Sequence, residues 1–461
     1  MKLDRSWLFV LAACAVPTTL RAQGFELNEI GTCATARAQA VTGAPCKDPS
    51  LIYWNPGAAT TLEGWTAYAG VAAIAVSGSF TSDGSGHTDD ADVPVSFPPF
   101  VFVNYTAPGG KWAAGIGAYV PYGLTSQWKG DFPGRFEAQK AALATVYVQP
   151  NVAYQFAKGW SIGGGPVFAY SQVQLRQSLD LAQQVTPLGI TFGQLGIAAG
   201  TEFARAKLEG SGTAWGFDVG IHGQITPDWE VGARYLSTVD VRYKNATATF
   251  QQSLTNLTLA AGNPFGAPAG TPLDALLSPE FLPDSTLSTQ GVSTRIRHPA
   301  QLEVGVGYSG FVNTRISADF LWSDFTVFDQ LPVTFSGPAS GSNRTLIEDY
   351  QNSWTIRAGI EHAFPIGIKG RAGFDYVKSP APDATVTPLL PDMNRRNYSL
   401  GIGVPLNPRY TLDAGYLHVD TSGRRGRIVE RTSVSQTAAE LNSGFYELSA
   451  NIWTVAIRAN F

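Results

Sequence analysis

The last eleven residues, 451–461, alternate between apolar and polar or small side chains with the period of a β-strand. Trp453, Val455, Ile457, Ala459 and the terminal Phe461 share one face. A strand of about ten residues with one apolar face is long enough to cross a bilayer at a tilt. A strand of a soluble β-sandwich has a similar pattern, so the choice depends on whether the pattern recurs.

The same alternation recurs along the chain after Gly64. A clear example is 354–360, where Trp354, Ile356, Ala358 and Ile360 oppose more polar neighbours. The pattern predicts fourteen strands, an even number as bacterial outer-membrane barrels have. The predicted strands lie near 65–81, 97–107, 111–127, 141–157, 160–180, 213–225, 229–249, 293–309, 312–329, 352–364, 368–380, 395–406, 409–422 and 445–461.

The connections between these strands alternate in length. Turns such as 108–110, 157–159 and 365–367 are short, whereas the other connections include long segments: 181–212, 250–292, 330–351 and 423–444. Short periplasmic turns and long external loops are typical of an outer-membrane barrel, and a sandwich has no reason for this asymmetry. We therefore predict an all-β fold, a fourteen-stranded antiparallel transmembrane β-barrel.

Composition and charge exclude other classes. The chain of 461 residues is 44% hydrophobic and 15% charged, with a formal net charge of -4, so it lacks the basic bias of a nucleic-acid-binding protein. No run of about eighteen apolar residues follows the N-terminus, which excludes a helical membrane protein. We expect no cofactor and no metal.

The first 22 residues, Met1–Ala22, have the features of a secretory signal peptide. Lys2 and Arg5 precede an apolar run that ends at Val16, and we expect cleavage after Ala22. Residues 11–14 also resemble a lipoprotein cleavage box, which leaves lipidation of Cys14 as an alternative.

Residues 24–64 are not strand-like, and short helices and turns fit them best. Cys33 and Cys46 are the cysteines left in this exported chain, and the spacing favours a disulfide over two buried thiols. Such a disulfide would stabilise the segment by roughly 3 kcal/mol.

Charged residues also occur on the predicted inward faces of the strands. Acidic and basic members nearly balance, which favours interior ion pairs over an ion-selectivity ring. The acidic members are Asp218, Glu230, Glu303, Asp319, Glu361, Asp375 and Asp413, and the basic members are Arg234, Arg315, Arg357, Lys369, Arg371 and Arg458.

Four segments carry a family resemblance: Gly24-Phe-Glu-Leu-Asn-Glu29, Asn55-Pro-Gly-Ala58, Val120-Pro-Tyr-Gly-Leu124 and Gln149-Pro-Asn-Val-Ala-Tyr154. In this order, within a fourteen-strand pattern, they make the chain similar to FadL/TodX-type outer-membrane transporters of long-chain fatty acids and hydrophobic compounds. The resemblance implies that 23–64 form a hatch that plugs a barrel formed by 65–461. It also implies that Phe25 and Leu27 contact apolar ligand, and that external loops capture it.

The long loops favour capture on their own residues. Residues 271–277 have the sequence of a short helix, with Thr271 as its cap, that presents Leu273, Leu276 and Leu277. In 187–210, Phe192, Leu195, Ala199 and Phe203 lie near one helical face, although nearby glycines weaken the helix. Apolar side chains on external loops either pack on neighbouring loops or contact ligand.

Two basic residues are candidates for binding the carboxylate of a fatty acid. Arg295 and Arg297 fall on the predicted inward face of the strand after the largest apolar loop. The alternative is that both pair with lumen acids such as Glu303.

The third predicted strand, Lys111–Gln127, is the candidate lateral gate. Gly115, Gly117 and Gly123 weaken a regular strand, and Pro121, beside Tyr122, cannot donate a ladder hydrogen bond. The family resemblance implies an inward kink here that opens a window into the bilayer. The alternative is that 121–123 mark the upper end of the strand.

These observations favour passive uptake of hydrophobic molecules across the bacterial outer membrane, by capture, hatch rearrangement and lateral exit. A general diffusion porin is the alternative. Asp218 and His222 share a face, but no serine stands in a recognisable nucleophile setting, so we do not expect an enzyme. We expect a monomer that contacts outer-membrane lipid and lipopolysaccharide, with the terminal Phe461 read by the barrel-assembly machinery.

Overall fold

A computed structural model describes residues 25–426 and 443–461. The predicted signal peptide, the alternative lipidation site Cys14 and most of the predicted loop 423–444 lie outside these residues. Among the described residues, no helix is both long and apolar enough to cross a membrane.

The described strands form one antiparallel sheet that closes on itself. Their bounds are β1 Gly64–Ser82, β2 Thr88–Asp90, β3 Pro99–Thr106, β4 Trp112–Gln127, β5 Lys140–Ala157, β6 Trp160–Asp180, β7 Glu202–Gln224, β8 Trp229–Leu236, β9 Val239–Gln252, β10 Gln290–His298, β11 Gln301–Phe311, β12 Thr314–Ser323, β13 Gln330–Phe335, β14 Arg344–Ile347, β15 Ser353–Ala363, β16 Lys369–Val377, β17 Arg395–Pro405, β18 Tyr410–Thr421, β19 Arg424–Gly426 and β20 Gly444–Asn460.

The strands build a closed fourteen-stranded barrel, which confirms the predicted fold. Two of the fourteen crossings are each made of two strands, β8 with β9 and β10 with β11. The first and last strands, β1 and β20, pair from Thr66↔Asn460 to Ser82↔Gly444 and close the wall. Closure satisfies the backbone groups of both end strands, as a lipid environment requires.

Side chains alternate between the two faces of the wall as the sequence pattern predicts. Trp453, Val455 and Ile457 of β20 are about half exposed on the outside, while Ile452, Thr454 and Ala456 are buried. Because the exposed side chains are large and apolar, the outer face suits lipid and not water.

Two predicted loop boundaries are wrong. The strand expected at 312–329 ends at Ser323, so the connection expected at 330–351 begins earlier. The connection expected at 181–212 is shorter, because β7 already begins at Glu202 and pairs with β6 as far as Asp180↔Glu202. Residues 202–212 alternate less clearly in hydrophobicity, since their outward side chains stand above the apolar band and are polar or charged.

The helices are short. The α-helices are α1 Thr32–Thr35, α2 Leu51–Trp54 and α3 Leu273–Leu277, and the 3₁₀ helices are Pro56–Thr61, Pro133–Phe136, Leu181–Gln183, Ser278–Phe281, Phe325–Val327, Pro338–Ser342 and Asp383–Thr385. Helices α1 and α2 lie in the segment before β1, which occupies the lumen and which we call the hatch (residues 25–63). A disulfide joins Cys33 to Cys46 within it.

The hatch packs closely against the wall. A Cβ atom added to Gly43 of the hatch would lie 2.1 Å from the backbone of Gly305, and one on Gly57 would lie 2.6 Å from the carbonyl oxygen of Gly220. Only glycine permits this approach of two backbones. Nearly all side chains from Ile30 to Thr60 are buried as a result.

Charged lumen residues hold the hatch in place. Asp319 accepts hydrogen bonds from the backbone N–H groups of Thr42 at 2.7 Å and Gly43 at 3.4 Å, and Arg315 donates to the carbonyl oxygen of Pro45 at 2.8 Å. Other members pair with one another, as expected: Arg234 with Asp218 at 3.0 Å, Arg315 with Glu230 at 2.5 Å, Arg371 with Glu361 at 2.7 Å and with Asp413 at 2.5 Å, and Arg357 with Glu303.

Candidate functional site

The wall is interrupted beside β4. Strands β3 and β4 pair only from Thr106↔Ala113 to Val101↔Ala118. The next backbone contacts between the two sides are an isolated bridge between Ala91 and Trp128, and a hydrogen bond from Asp92 N–H to the carbonyl oxygen of Gln127. Residues 119–126 of β4 thus lack a strand partner on this side.

The N-terminal end of the hatch occupies this interruption. The N–H of Leu27 donates to the carbonyl oxygen of Pro121 at 2.9 Å, and the N–H of Gly123 donates to that of Phe25 at 3.0 Å. Glu26 and Tyr122 oppose one another between these bonds. We call residues 25–30 the hatch arm. They pair with β4 over a short stretch where a neighbouring strand is absent.

Local sequence accounts for the interruption. After Val101, the next residue of this segment whose backbone faces β4 is Pro99, which has no N–H to donate, so the ladder with β4 does not continue. Pro98 faces β1 instead, and its carbonyl oxygen accepts from Ala72 N–H. On β4 the register with β5 shifts between Tyr119 and Tyr122, which makes a β-bulge at Pro121. Gly123 has no side chain, and a Cβ there would lie 2.6 Å from Cδ1 of Leu27.

A cavity of about 460 Å³ runs through the interruption. Leu390 and Met393 line it on the lumen side, Leu27 lines it at the hatch arm, and the exposed residues Phe97 and Ala144 line it on the outer face of the wall. The lining is mostly apolar and lies within the volume range of small-molecule sites. The cavity therefore joins the lumen to the lipid side of the barrel.

The charged side chains that line this cavity are mainly acidic. They are Glu26, Glu29 and Asp392, and the one basic residue in the described lining is Arg395, which lies 3.4 Å from Asp392. Burial raises the pKa of Glu26 to about 7, and nearby Gln301, Ser323, Arg357 and Arg395 offset this rise only in part. The cavity therefore has no excess of positive charge for an anionic ligand.

Phe25 lies beside the cavity in an aromatic cluster and does not line it. Its ring centroid lies 5.2 Å from that of Phe328, 5.7 Å from Phe325, 5.9 Å from Tyr122 and 6.0 Å from His298. Of the two hatch residues predicted to contact ligand, Leu27 thus lines the cavity and Phe25 anchors the hatch arm.

A second cavity, of about 750 Å³, lies between the external loops. We call it the loop groove. Five of the predicted loop residues line it: Phe192, Phe203, Leu273, Leu276 and Leu277. Val333, Phe335 and Leu346 complete an apolar wall. Both alternatives for the loop side chains hold, because Phe192 and Phe203 also pack with Leu273 and Leu277 in one buried cluster.

The local structure of these loops differs from the prediction in two ways. The expected helix in 187–210 is absent: Gly196 and Gly200 have positive φ angles of 92° and 79°, and Leu195 does not line the groove. Helix α3 forms, but Pro272 is its N-cap. The Asp274 carboxylate accepts hydrogen bonds from the backbone N–H and the hydroxyl of Thr255, in the connection after β9.

The predicted inward orientation of Arg295 and Arg297 is wrong. On β10 the buried side chains are those of Thr294, Ile296 and His298, so both arginines point outward. Arg295 pairs with the partly exposed Asp240 at 2.6 Å. These arginines therefore contact neither cavity.

Two glycines assigned to the gate lie below it. Gly115 and Gly117 pair regularly with both neighbouring strands, so the expectation that they weaken β4 is wrong. Their role is close packing, since a Cβ on Gly117 would lie 2.4 Å from the ring of Phe102. Pro121, Tyr122 and Gly123 lie in the interruption.

Several lining residues were missed from the sequence. The connection 378–394 brings Leu390 and Met393 over the cavity, and no local pattern marks this contact between distant segments. The run Phe97-Pro-Pro99 carried a usable signal, because two consecutive prolines end a strand ladder.

A closed barrel with an apolar outer face, a hatch in its lumen and an apolar cavity through its wall defines an outer-membrane protein that handles apolar compounds. Residues 13–461 match the family model described as "Outer membrane protein transport protein (OMPP1/FadL/TodX)". The chain belongs to this family, and it is an outer-membrane transport protein for hydrophobic compounds.

Individual relatives agree with this assignment. The "Long-chain fatty acid transport protein" of Escherichia coli O6:H1 is 23% identical over 425 residues, which cover 88% of this chain and 90% of that protein. "Outer membrane protein P1" of Haemophilus influenzae is 22% identical over 93% of this chain and 95% of that protein.

Solved structures share the fold. A Pseudomonas aeruginosa FadL homologue superposes with a TM-score of 0.76 at 18% identity, covering 95% of this chain and 100% of that one. The Pseudomonas putida toluene transporter TodX gives a TM-score of 0.67 at 14% identity, with coverage of 95% and 100%.

Proposed function

We propose that this protein carries hydrophobic small molecules passively from the cell exterior into the outer membrane, without catalysis or a cofactor. The observation that carries the proposal is the cavity that runs from the lumen to the lipid side through the interruption beside β4. Residues 1–22 act as the removed signal peptide, the predicted plug 23–64 contains the hatch, and 65–461 act as the barrel.

Transport begins at the loop groove. Phe192, Phe203 and Phe265 present aromatic surface above the barrel, and α3 adds leucine side chains. A molecule bound there leaves water before it reaches the lumen, and this transfer is favourable by about 25 cal/mol for each Å² of apolar surface buried.

The second binding site on the proposed route is the cavity at the hatch arm. Leu27 lines it. Within the described chain, two backbone hydrogen bonds join the arm to β4: Leu27 N–H donates to Pro121, and Phe25 accepts from Gly123 N–H. Displacement of the arm enlarges the cavity and exposes the aromatic cluster around Phe25. The arm thus couples ligand entry to the opening of the wall.

Exit is sideways into the bilayer. A hydrophobic molecule that left through the periplasmic end would return its apolar surface to water, whereas the opening at Phe97 and Ala144 leads to lipid. Buried hatch residues fill the lumen below the cavity, so they obstruct a route to the periplasmic end.

The charges at the cavity favour neutral cargo. Arg395 is engaged by Asp392, and Glu26 and Glu29 add no attraction for a carboxylate. The matched proteins include one named for long-chain fatty acids and one named for toluene, so both kinds of hydrophobic cargo are candidates. We propose that an aromatic or aliphatic hydrocarbon is taken up in preference to an ionised fatty acid.

Ala144→Trp tests lateral exit, because this side chain lines the outer end of the cavity opposite Gly123. Uptake of radiolabelled toluene by cells should fall at least tenfold, whereas toluene binding to purified protein is retained. Val152→Trp is the matched control, since Val152 is 66% exposed on the same face of β5 below the interruption.

Equal uptake by both tryptophan variants would overturn lateral exit and leave a route through the hatch.

The same assay with oleate tests the preference for neutral cargo. Oleate uptake at pH 8 that equals toluene uptake would contradict it.

The barrel also has partners in its membrane. We propose that the protein is a monomer, that its outer face contacts lipopolysaccharide, and that the assembly machinery reads the last strand through Phe461. The apolar outer side chains of β20 and the exposed terminal Phe461 support this assembly role.

A further inference from the structure

Four basic side chains form a patch on the outer face of β9 and β10: Arg242, Lys244, Arg295 and Arg297. Register places Arg295 directly across from Arg242, and Arg297 across from Asp240. The intervening residues Val241, Tyr243 and Ile296 are buried in the barrel, so the basic side chains point away from the lumen. We call these four residues the basic patch.

The patch lies just above the apolar band that faces lipid. Trp215 of β7 is 66% exposed and packs on Phe168 at 5.0 Å between ring centroids. A Cβ on Gly212 would lie 2.7 Å from the carbonyl oxygen of Arg242, so Arg242 stands level with Gly212. Gly212 is three residues from Trp215 toward the external loops, about 10 Å along the strand.

The patch keeps an excess of positive charge. Asp240 accepts from Arg295 at 2.6 Å and from Arg242 at 3.3 Å. The exposed Asp329 lies close enough to attract Arg295, so these two acids face four basic side chains. Glu209 also points outward nearby, but it pairs with Lys207 at 2.6 Å. Within the described chain, Lys244 and Arg297 form no ion pair.

We propose that the basic patch binds the lipid A phosphates of lipopolysaccharide. Arginine matches phosphate oxygens with two parallel hydrogen bonds, and lysine adds a mobile charge. Aromatic side chains below the patch suit the start of the acyl chains, and the patch stands at the height of the headgroups. The inference rests on the proposed contact with lipopolysaccharide and is independent of transport.

The test variant combines Arg242→Gln, Lys244→Gln and Arg297→Gln. It removes three charges and leaves the Arg295–Asp240 pair intact, so no carboxylate loses its last partner. Binding of purified lipopolysaccharide to detergent-solubilised protein should weaken at least tenfold. Added salt should weaken binding to the unsubstituted protein, because the patch is exposed.

The matched control combines Lys111→Gln, Lys158→Gln and Arg409→Gln, which removes three exposed charges at the periplasmic turns. It should bind lipopolysaccharide as the unsubstituted protein does. Lipopolysaccharide stripped of its lipid A phosphates should bind all three proteins with the same low affinity.

Equal affinity of the test variant and the control would overturn the proposal, and so would full binding of the dephosphorylated lipid. Toluene uptake is measured in parallel. A test variant that loses lipopolysaccharide but still takes up toluene separates this site from the transport route.

Discussion

Glu26 places a carboxyl group in the hatch arm, where burial raises its pKa to about 7. In a released, solvated arm the same group would titrate near 4.5. The docked arm therefore holds its proton more tightly, so docking is most stable below pH 4.5 and loses stability as the pH rises to about 7. The full difference corresponds to about 3 kcal/mol.

We expect the arm to dock less firmly at pH 8 than at pH 5. Hydrogen–deuterium exchange of residues 25–30, corrected for intrinsic rates, should show lower protection at the higher pH. Glu26→Gln cannot ionise and should give equal protection at both. Unchanged protection of the original chain across this range would contradict a role for this carboxyl in docking.

The orientation of single side chains was harder to predict than the strands that carry them. On β11 the buried residues include Gln301 and Glu303, so continuing that parity backward placed Arg295 and Arg297 inward. Regular strand structure stops at 299–300, between β10 and β11. This irregularity shifts by one residue which side chains point into the barrel. A one-residue shift moves every side chain of a strand to the opposite face.

At the scale of the elements, the hatch arm and β4 are the parts expected to move. Glu26 and Tyr122 form a non-hydrogen-bonded antiparallel pair, whose Cα atoms lie about 4.5 Å apart in such geometry. This separation suits a disulfide. Replacing both with cysteine should pin the arm to β4.

Toluene uptake by the pinned variant should stop under oxidising conditions and recover with a reductant. The pair Glu26→Ser and Tyr122→Ser removes the same side chains without the cross-link, and the original chain in reductant controls for its own disulfide. Sustained uptake by the oxidised variant would show that transport needs no movement of the arm.

The end of the last strand, β20, is the proposed assembly signal. Phe461 donates its N–H to the carbonyl oxygen of Trp65 at 2.9 Å, where β20 meets β1. Deletion of Phe461 should lower the amount of folded, heat-modifiable protein in outer-membrane fractions several-fold. Phe461→Tyr keeps the aromatic ring and should assemble normally, and unchanged levels after deletion would contradict an assembly signal.

Elements were predictable where the sequence is periodic. The fourteen crossings follow from alternation in segments such as β15 and β20, because one face meets lipid and the other meets the packed lumen. The predicted loop 187–210 has no such constraint before Glu202, where β7 begins. Its spacing of Phe192 and Phe203 fits a helix, but glycines at 196 and 200 turn the chain instead.

In the whole molecule, the lumen charges and the hatch form one unit. The near balance of acidic and basic residues was visible in the sequence, and it predicted ion pairs such as Arg234 with Asp218. Their bonds to the hatch could not be predicted, because Asp319 and Thr42 are 277 residues apart in the chain. An interruption at Pro121 and Gly123 was predicted from the sequence, but the contacts around it were not, because Leu27 and Met393 come from distant parts of the chain.

The close fit of the hatch has a consequence for the cell. A pore for hydrophilic solutes needs open, water-filled space in the lumen, and here backbones in contact at Gly43 and Gly305 occupy part of that space. On the route proposed above, cargo that dissolves in lipid passes above this contact and leaves through the interruption in the wall. Many copies of this protein in one membrane would therefore add a route for hydrophobic compounds without adding open pores for hydrophilic solutes.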